Sequence, residues 1–97
     1  MMTQVTGTTL ISAIRGIVEK QLEPARIERV EVARDVDHDG DPVLRIRIVF
    51  DVKGDRLNSK AVLGLARHLR EPLEQLNVDD FPTFSFATVK EDRAAAA

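Results

Sequence analysis

The segment Val43–Asp51 constrains this chain more than any other stretch. Leu44, Ile46, Ile48 and Phe50 alternate with Arg45, Arg47, Val49 and Asp51. A period of two places the first set on one side of an extended backbone and the arginines on the other. Such a strand buries one face and wets the other, the mark of a sheet covered by helices on a single side.

A second period-two run begins near Arg26. Val30 and Val32 point one way, while Arg29, Glu31 and Ala33 point the other. Both strands turn even-numbered apolar residues inward, so opposed residues must sum to an even number. A two-residue Asp39-Gly40 turn gives an odd sum and pushes one apolar set into water. A three-residue loop, His38-Asp39-Gly40, gives an even sum and sets glycine where a left-handed residue is needed. It opposes Val32 to Ile46, Val30 to Ile48, and Glu31 to Arg47 as an ion pair.

Helical spacing flanks this hairpin. Leu10, Ile11, Ile14, Ile17, Val18 and Leu22 form one apolar stripe after Thr8 or Thr9 as cap, and Pro24 ends it. After a turn at Lys53-Gly54-Asp55, Asn58 or Ser59 caps a second helix built on Val62, Leu65, Leu69, Leu73 and Leu76. Pro72 inside it predicts a kink or split near Arg70–Glu71. Gly64 costs about 1 kcal/mol relative to alanine in mid-helix and suggests close packing there. Asn77–Asp80 reads as loop, and Phe81–Val89 as a third strand with Pro82 near its start. The order predicts an α+β fold: a two-layer αββαβ sandwich with three strands and both helices on one face. If the second and third strands run parallel, their helical crossover is right-handed. Residues 1–93 form one domain, and Ala94–Ala97 read as a frayed tail.

The chain has 97 residues, enough for one core. Its only aromatics are four Phe, so the core rests on Leu, Ile and Val. It has no cysteine, which excludes disulfides, thiolate zinc sites and thiol catalysis. The net charge of −2 lacks the basic surplus of dedicated nucleic-acid binders. No apolar run reaches the ~20 residues of a membrane span, and Met1–Gly7 has no signal-peptide layout. The expectation is a cytoplasmic protein without cofactor or small-molecule substrate.

Asp35, Asp37, Asp39 and Gly40 spell the opening of a calcium loop. The twelfth loop position, a bidentate Glu in that motif, is Ile46 here. An acidic solvated hairpin tip is one reading, and weak divalent-cation binding by Asp35, Asp37, Asp39 and Asp41 the other. His38 and His68 stand beside no nucleophile or ligand set. Ser12, Ser59 and Ser85 lack an elbow-type glycine frame, and the five glycines are scattered. No catalytic constellation is legible, and a non-enzyme is expected.

Two surfaces remain for binding. Arg29, Glu31, Arg45, Arg47, Val49, Thr83 and Ser85, with Val43 and Ala87, occupy the sheet face away from the helices, a docking surface for a protein partner or a second copy. Arg56, Lys60, Arg67 and Arg70 make the second helix basic on its outer side, an alternative RNA-binding surface.

The stretch Val43–Val52, followed by a turn and a capped helix, resembles the N-terminal domain of the ribosome maturation factor RimP and, more loosely, the KH-like ribosome-binding factor A. That resemblance implies an RNA- or ribosome-associated role, although no GxxG clamp is present. The element order is also similar to the cytoplasmic domain of cation-diffusion-facilitator transporters, whose metal-binding histidines are not matched. Asp35–Ile46 together with Phe81–Phe86 resembles small bacterial proteins that act as companions of a separately encoded partner, as in toxin–antitoxin-like pairs. This implies a noncatalytic, regulatory protein-binding module.

Overall fold

A computed structural model describes residues 7–54 and 56–96. The elements run α1 (Gly7–Gln21), β1 (Arg26–Val36), β2 (Pro42–Asp51), α2 (Ser59–Gln75), β3 (Phe81–Thr88) and α3 (Val89–Ala96). The sheet order is β1-β2-β3, with β1 antiparallel and β3 parallel to β2. The α+β expectation holds, with a third helix added.

The hairpin takes the register that parity demands. Val32 opposes Ile46, Val30 opposes Ile48 and Glu31 opposes Arg47. The Asp37 N–H donates to the Asp41 carbonyl and the Gly40 N–H to the Asp37 carbonyl, both at 2.9 Å, closing the loop on His38-Asp39-Gly40. Gly40 sits at φ +85°, where a Cβ is strained. Near the other end a bulge between Ile27 and Arg29 shifts the register by one. Odd-numbered Ile27 thereby opposes Phe50 and joins the buried face. Arg15 on α1 donates to the Ile27 carbonyl at 2.8 Å.

The core lies between this inward face and α1 and α2. Ile14, Val18, Leu44, Ile48, Leu65 and Leu69 have no exposed surface. Each such side chain contributes about 1.5–3 kcal/mol by leaving water. The α1 stripe fills it through Leu10, Ile14, Val18 and Leu22, four residues apart. Thr8 and Thr9 fall inside the first turn of α1, which starts earlier than expected.

Asn58 caps α2, its side chain accepting from the N–H groups of Lys60 and Ala61. Of the expected kink or split, the split does not occur: the helix runs through Pro72 to Gln75. It ends in a Schellman motif: Asn77 adopts φ 59°, its N–H bonds the Glu74 carbonyl, and the Val78 N–H bonds the Leu73 carbonyl at 2.8 Å. This turns Val78 into the core beside Leu73, within a stretch that reads from sequence as plain loop. Gly54 stands at φ +86° in the predicted turn; Asp55 lies outside the described residues.

The largest departure is α3. Thr88 and Glu91 form a reciprocal capping box: the Thr88 N–H donates to Glu91 Oε1 at 2.8 Å, and the Glu91 N–H to Thr88 Oγ1 at 3.0 Å. The alanines expected to fray from Ala94 continue this helix to Ala96, and Ala97 lies outside the described residues.

Candidate functional site

The sheet face away from α1 and α2 is a grid of four rows. Asp35, Val43 and Phe81 form the row nearest the hairpin loop; then come Ala33, Arg45 and Thr83; Glu31, Arg47 and Ser85; and Arg29, Val49 and Ala87. The register brings all seven predicted docking residues onto this face. It does not leave all of them accessible.

Val49 has no exposed surface, and Val43 and Ala87 retain only 5% and 6%. The expected exposure of all three is corrected, and for Val49 and Ala87, at the end of the face away from the hairpin loop, the physical reason is α3. Capped by Thr88 and Glu91, α3 leaves the end of β3 and returns over this side of the sheet, where Asp92 reaches Arg29 and Arg47. The face is therefore half covered. The signal was in the sequence: Thr88-Val89-Lys90-Glu91 is a capping-box spacing, with Asp92 one residue beyond.

Charges on the face are neutralised among themselves. Asp92 Oδ1 accepts from Arg29 Nη2 at 2.9 Å and from Arg47 Nη2 at 3.2 Å. Arg29 also binds Glu31. The anticipated Glu31–Arg47 pair is wide, at 3.9 Å, because Arg47 turns to Asp92. Arg45 bonds Asp35 at 2.8 Å. Hydrogen bonds from Arg29 and then Arg47 hold the Asp92 carboxyl below the usual aspartate range. Arg45, and then the Val36 N–H, do the same for Asp35. Asp92, and then Glu31, raise the Arg29 guanidinium above its ordinary value.

Next to Arg47, which Asp92 of α3 holds at one side, Arg45, Thr83 and Ser85 complete the lining of a shallow depression of about 210 Å³, to which the strand positions Ile46 and Phe84 also contribute. Arg45 is the most open of these cations, with 54% of its side chain exposed. Phe81, 67% exposed, stands at the hairpin end of the same face.

The basic residues of the α2 region behave differently. Arg56, Lys60, Arg67 and Arg70 are all exposed. None forms an ion pair with another described residue. Leu63, 81% exposed, sits between Lys60 and Arg67 along the helix.

At the hairpin tip, carboxylate oxygens of Asp37, Asp39 and Asp41 lie within 4.8 Å of one another. Asp35 is not among them, since its carboxylate is turned to Arg45. Asp37 Oδ1 already accepts from the N–H groups of Asp39 and Asp41, both at 2.9 Å. That bonding explains the aspartate as a turn former. His38 is exposed at this tip, and His68 is exposed on α2.

Comparison with protein-family models, with curated proteins and with solved structures returned no match.

Proposed function

We propose that this chain is a noncatalytic protein-binding module, a regulatory companion that docks a separately encoded partner on the uncovered half of its charged sheet face. The observation that carries this reading is the depression formed by Arg45, Arg47, Thr83 and Ser85. It joins two cations, two hydroxyls and strand backbone on a rigid sheet, and α3 leaves it open. Arg45 is held by Asp35 in a fixed, solvent-facing pose, ready to meet a carboxylate. Exposed Phe81 adds an apolar anchor at the rim. Affinity purification from the native host tests the reading. The wild-type chain should retain a protein in stoichiometric amount, and Arg45→Glu should lose it while keeping its circular dichroism. Equal retention by both proteins, or no partner at all, would sink the proposal.

A second reading is favoured by the contrast between the two basic surfaces. The sheet arginines are neutralised internally, whereas Arg56, Lys60, Arg67 and Arg70 pair with no carboxylate among the described residues. An RNA or ribosomal contact would use that α2 surface. It predicts RNA binding that weakens steeply with salt and is abolished in a Lys60→Glu/Arg67→Glu double variant. Absence of any RNA shift at low salt would remove it.

A further inference from the structure

Strand β3 forms one edge of the sheet, with β2 alone beside it among the described residues. The direction of its backbone groups follows from the hairpin. The Asp37 N–H bonds the Asp41 carbonyl, so these two form a hydrogen-bonded pair. Such pairs alternate along an antiparallel ladder. Val43, Arg45, Arg47 and Val49 therefore aim their N–H and C=O groups at β1, while Leu44, Ile46, Ile48 and Phe50 aim theirs at β3. Ile46 lies opposite Phe84, so its groups bond Thr83 and Ser85. The odd-numbered residues of β3 are thus committed to β2, and the even-numbered ones face the open edge.

That edge is blunted at both ends. Pro82 has no N–H to offer. The Thr88 N–H is taken by Glu91 Oε1 at 2.8 Å. Only Phe84 and Phe86 present both a donor and an acceptor outward. Their rings stack, 6.4 Å between centroids and 18° between planes, and lie half-buried at the margin of the core.

From this pattern we infer that the β3 edge binds a second copy of the same chain, strand against strand, antiparallel and centred on Ser85. In that register Phe84 opposes the second copy's Phe86, and all four outward phenylalanine N–H groups find all four phenylalanine carbonyls. The proline of each copy then faces the occupied Thr88 of the other, so each gap meets a gap. A two-residue slip in either direction strands a phenylalanine carbonyl opposite Pro82 or opposite the occupied Thr88 N–H. A one-residue slip turns the strand over. The fit is a self-fit, which a peptide without the same gaps does not reproduce. Phe81–Thr88 carries no charge, so the two-fold axis brings no like charges together along the strand. Four rings meet on the helix side, in aromatic cross-strand pairs. The blunted ends confine pairing to a single closed partner. This contact is made by the backbone edge of β3, although Thr83 and Ser85 on that strand also line the docking surface proposed above.

The chain has no cysteine, which makes the register directly testable. Ser85 is exposed and meets its own counterpart in a non-hydrogen-bonded pair, with Cα atoms about 4.5 Å apart. That lies within disulfide reach. Thr83 would oppose Ala87 of the second copy and stand roughly 13 Å from its own counterpart. The purified chain should sediment at twice its 10.8 kDa mass. Ser85→Cys should cross-link into a dimer under mild oxidation, and Thr83→Cys should not. Ser85→Lys, with like charges facing each other beside Arg47, should weaken self-association at least tenfold with unchanged circular dichroism. A chain that stays monomeric at millimolar concentration overturns the inference. So do equal cross-linking of the two cysteine variants, a dimer that Ser85→Cys fails to trap, and a dimer indifferent to Ser85→Lys.

Discussion

Asp92 on α3 accepts a 2.9 Å hydrogen bond from Arg29 on β1, joining residues 63 positions apart across the sheet. With Arg47 as second donor, this carboxylate fastens α3 over Val49 and Ala87. Because the two guanidinium groups hold Asp92 below the usual aspartate range, its contribution is complete above the unfolded-state value. It is lost as pH falls through the lowered folded-state value. The helix should therefore stay docked through mild acid and release only below the ordinary aspartate range. Asp92→Asn should speed hydrogen exchange in α3 several-fold at neutral pH and flatten this acid transition. Amide exchange measured against pH in both proteins checks this; an unchanged α3 in the variant would refute the fastening role.

The capping box should matter as much as the ion pairs. Thr88→Ala removes the acceptor for the Glu91 N–H at the point where β3 becomes α3. A lost cap of this type costs about 0.5–2 kcal/mol. The loss should appear as a lower urea midpoint with the slope little changed, and Thr88→Ser should restore most of it. If Thr88→Ala is silent, α3 is held by its side chains alone.

Periodicity made the inner half of this fold legible. The alternation of Leu44, Ile46, Ile48 and Phe50 assigned the buried face, and parity chose the loop that opposes Val32 to Ile46. Ile27 escaped because a bulge breaks the parity that revealed the rest. Val78 escaped because its burial depends on a left-handed Asn77. The outer face was misjudged for one reason. The alanines Ala94–Ala96 carry no amphipathic pattern, so the helix they complete is announced only by Thr88, Glu91 and Asp92. Without α3, Val49 reads as solvent-facing and Arg47 as the partner of Glu31 rather than of Asp92. With it, four of the seven expected docking residues still converge: Arg45, Arg47, Thr83 and Ser85.

Gly40 provides a test of the hairpin itself. Its φ of +85° suits glycine, and open space surrounds the position where a Cβ would stand. Gly40→Ala should therefore destabilise through backbone strain alone, by about 1 kcal/mol. Gly40→Asn should cost less, because asparagine tolerates the left-handed region. Thermal unfolding of the pair separates strain from crowding; crowding would make asparagine the worse substitution.

Gly64 should behave in the opposite way. Its place in the middle of α2 suggested close packing, yet the nearest atoms to an added Cβ belong to the exposed His68 ring, at 3.5 Å and 3.8 Å. Those are ordinary contacts with a side chain that is free to adjust. Nothing in the packing therefore requires glycine, and the helical backbone there needs no unusual dihedral. Alanine should recover the helix propensity that glycine forgoes, about 0.8–1.0 kcal/mol, chiefly by restricting the unfolded chain. The gain should appear as a raised denaturant midpoint for Gly64→Ala, with the same slope and the same far-ultraviolet circular dichroism. It should survive in a Gly64→Ala/His68→Ala background, since the imidazole contributes no more than contact. A stability loss would refute the account of Gly64 as a replaceable helix residue.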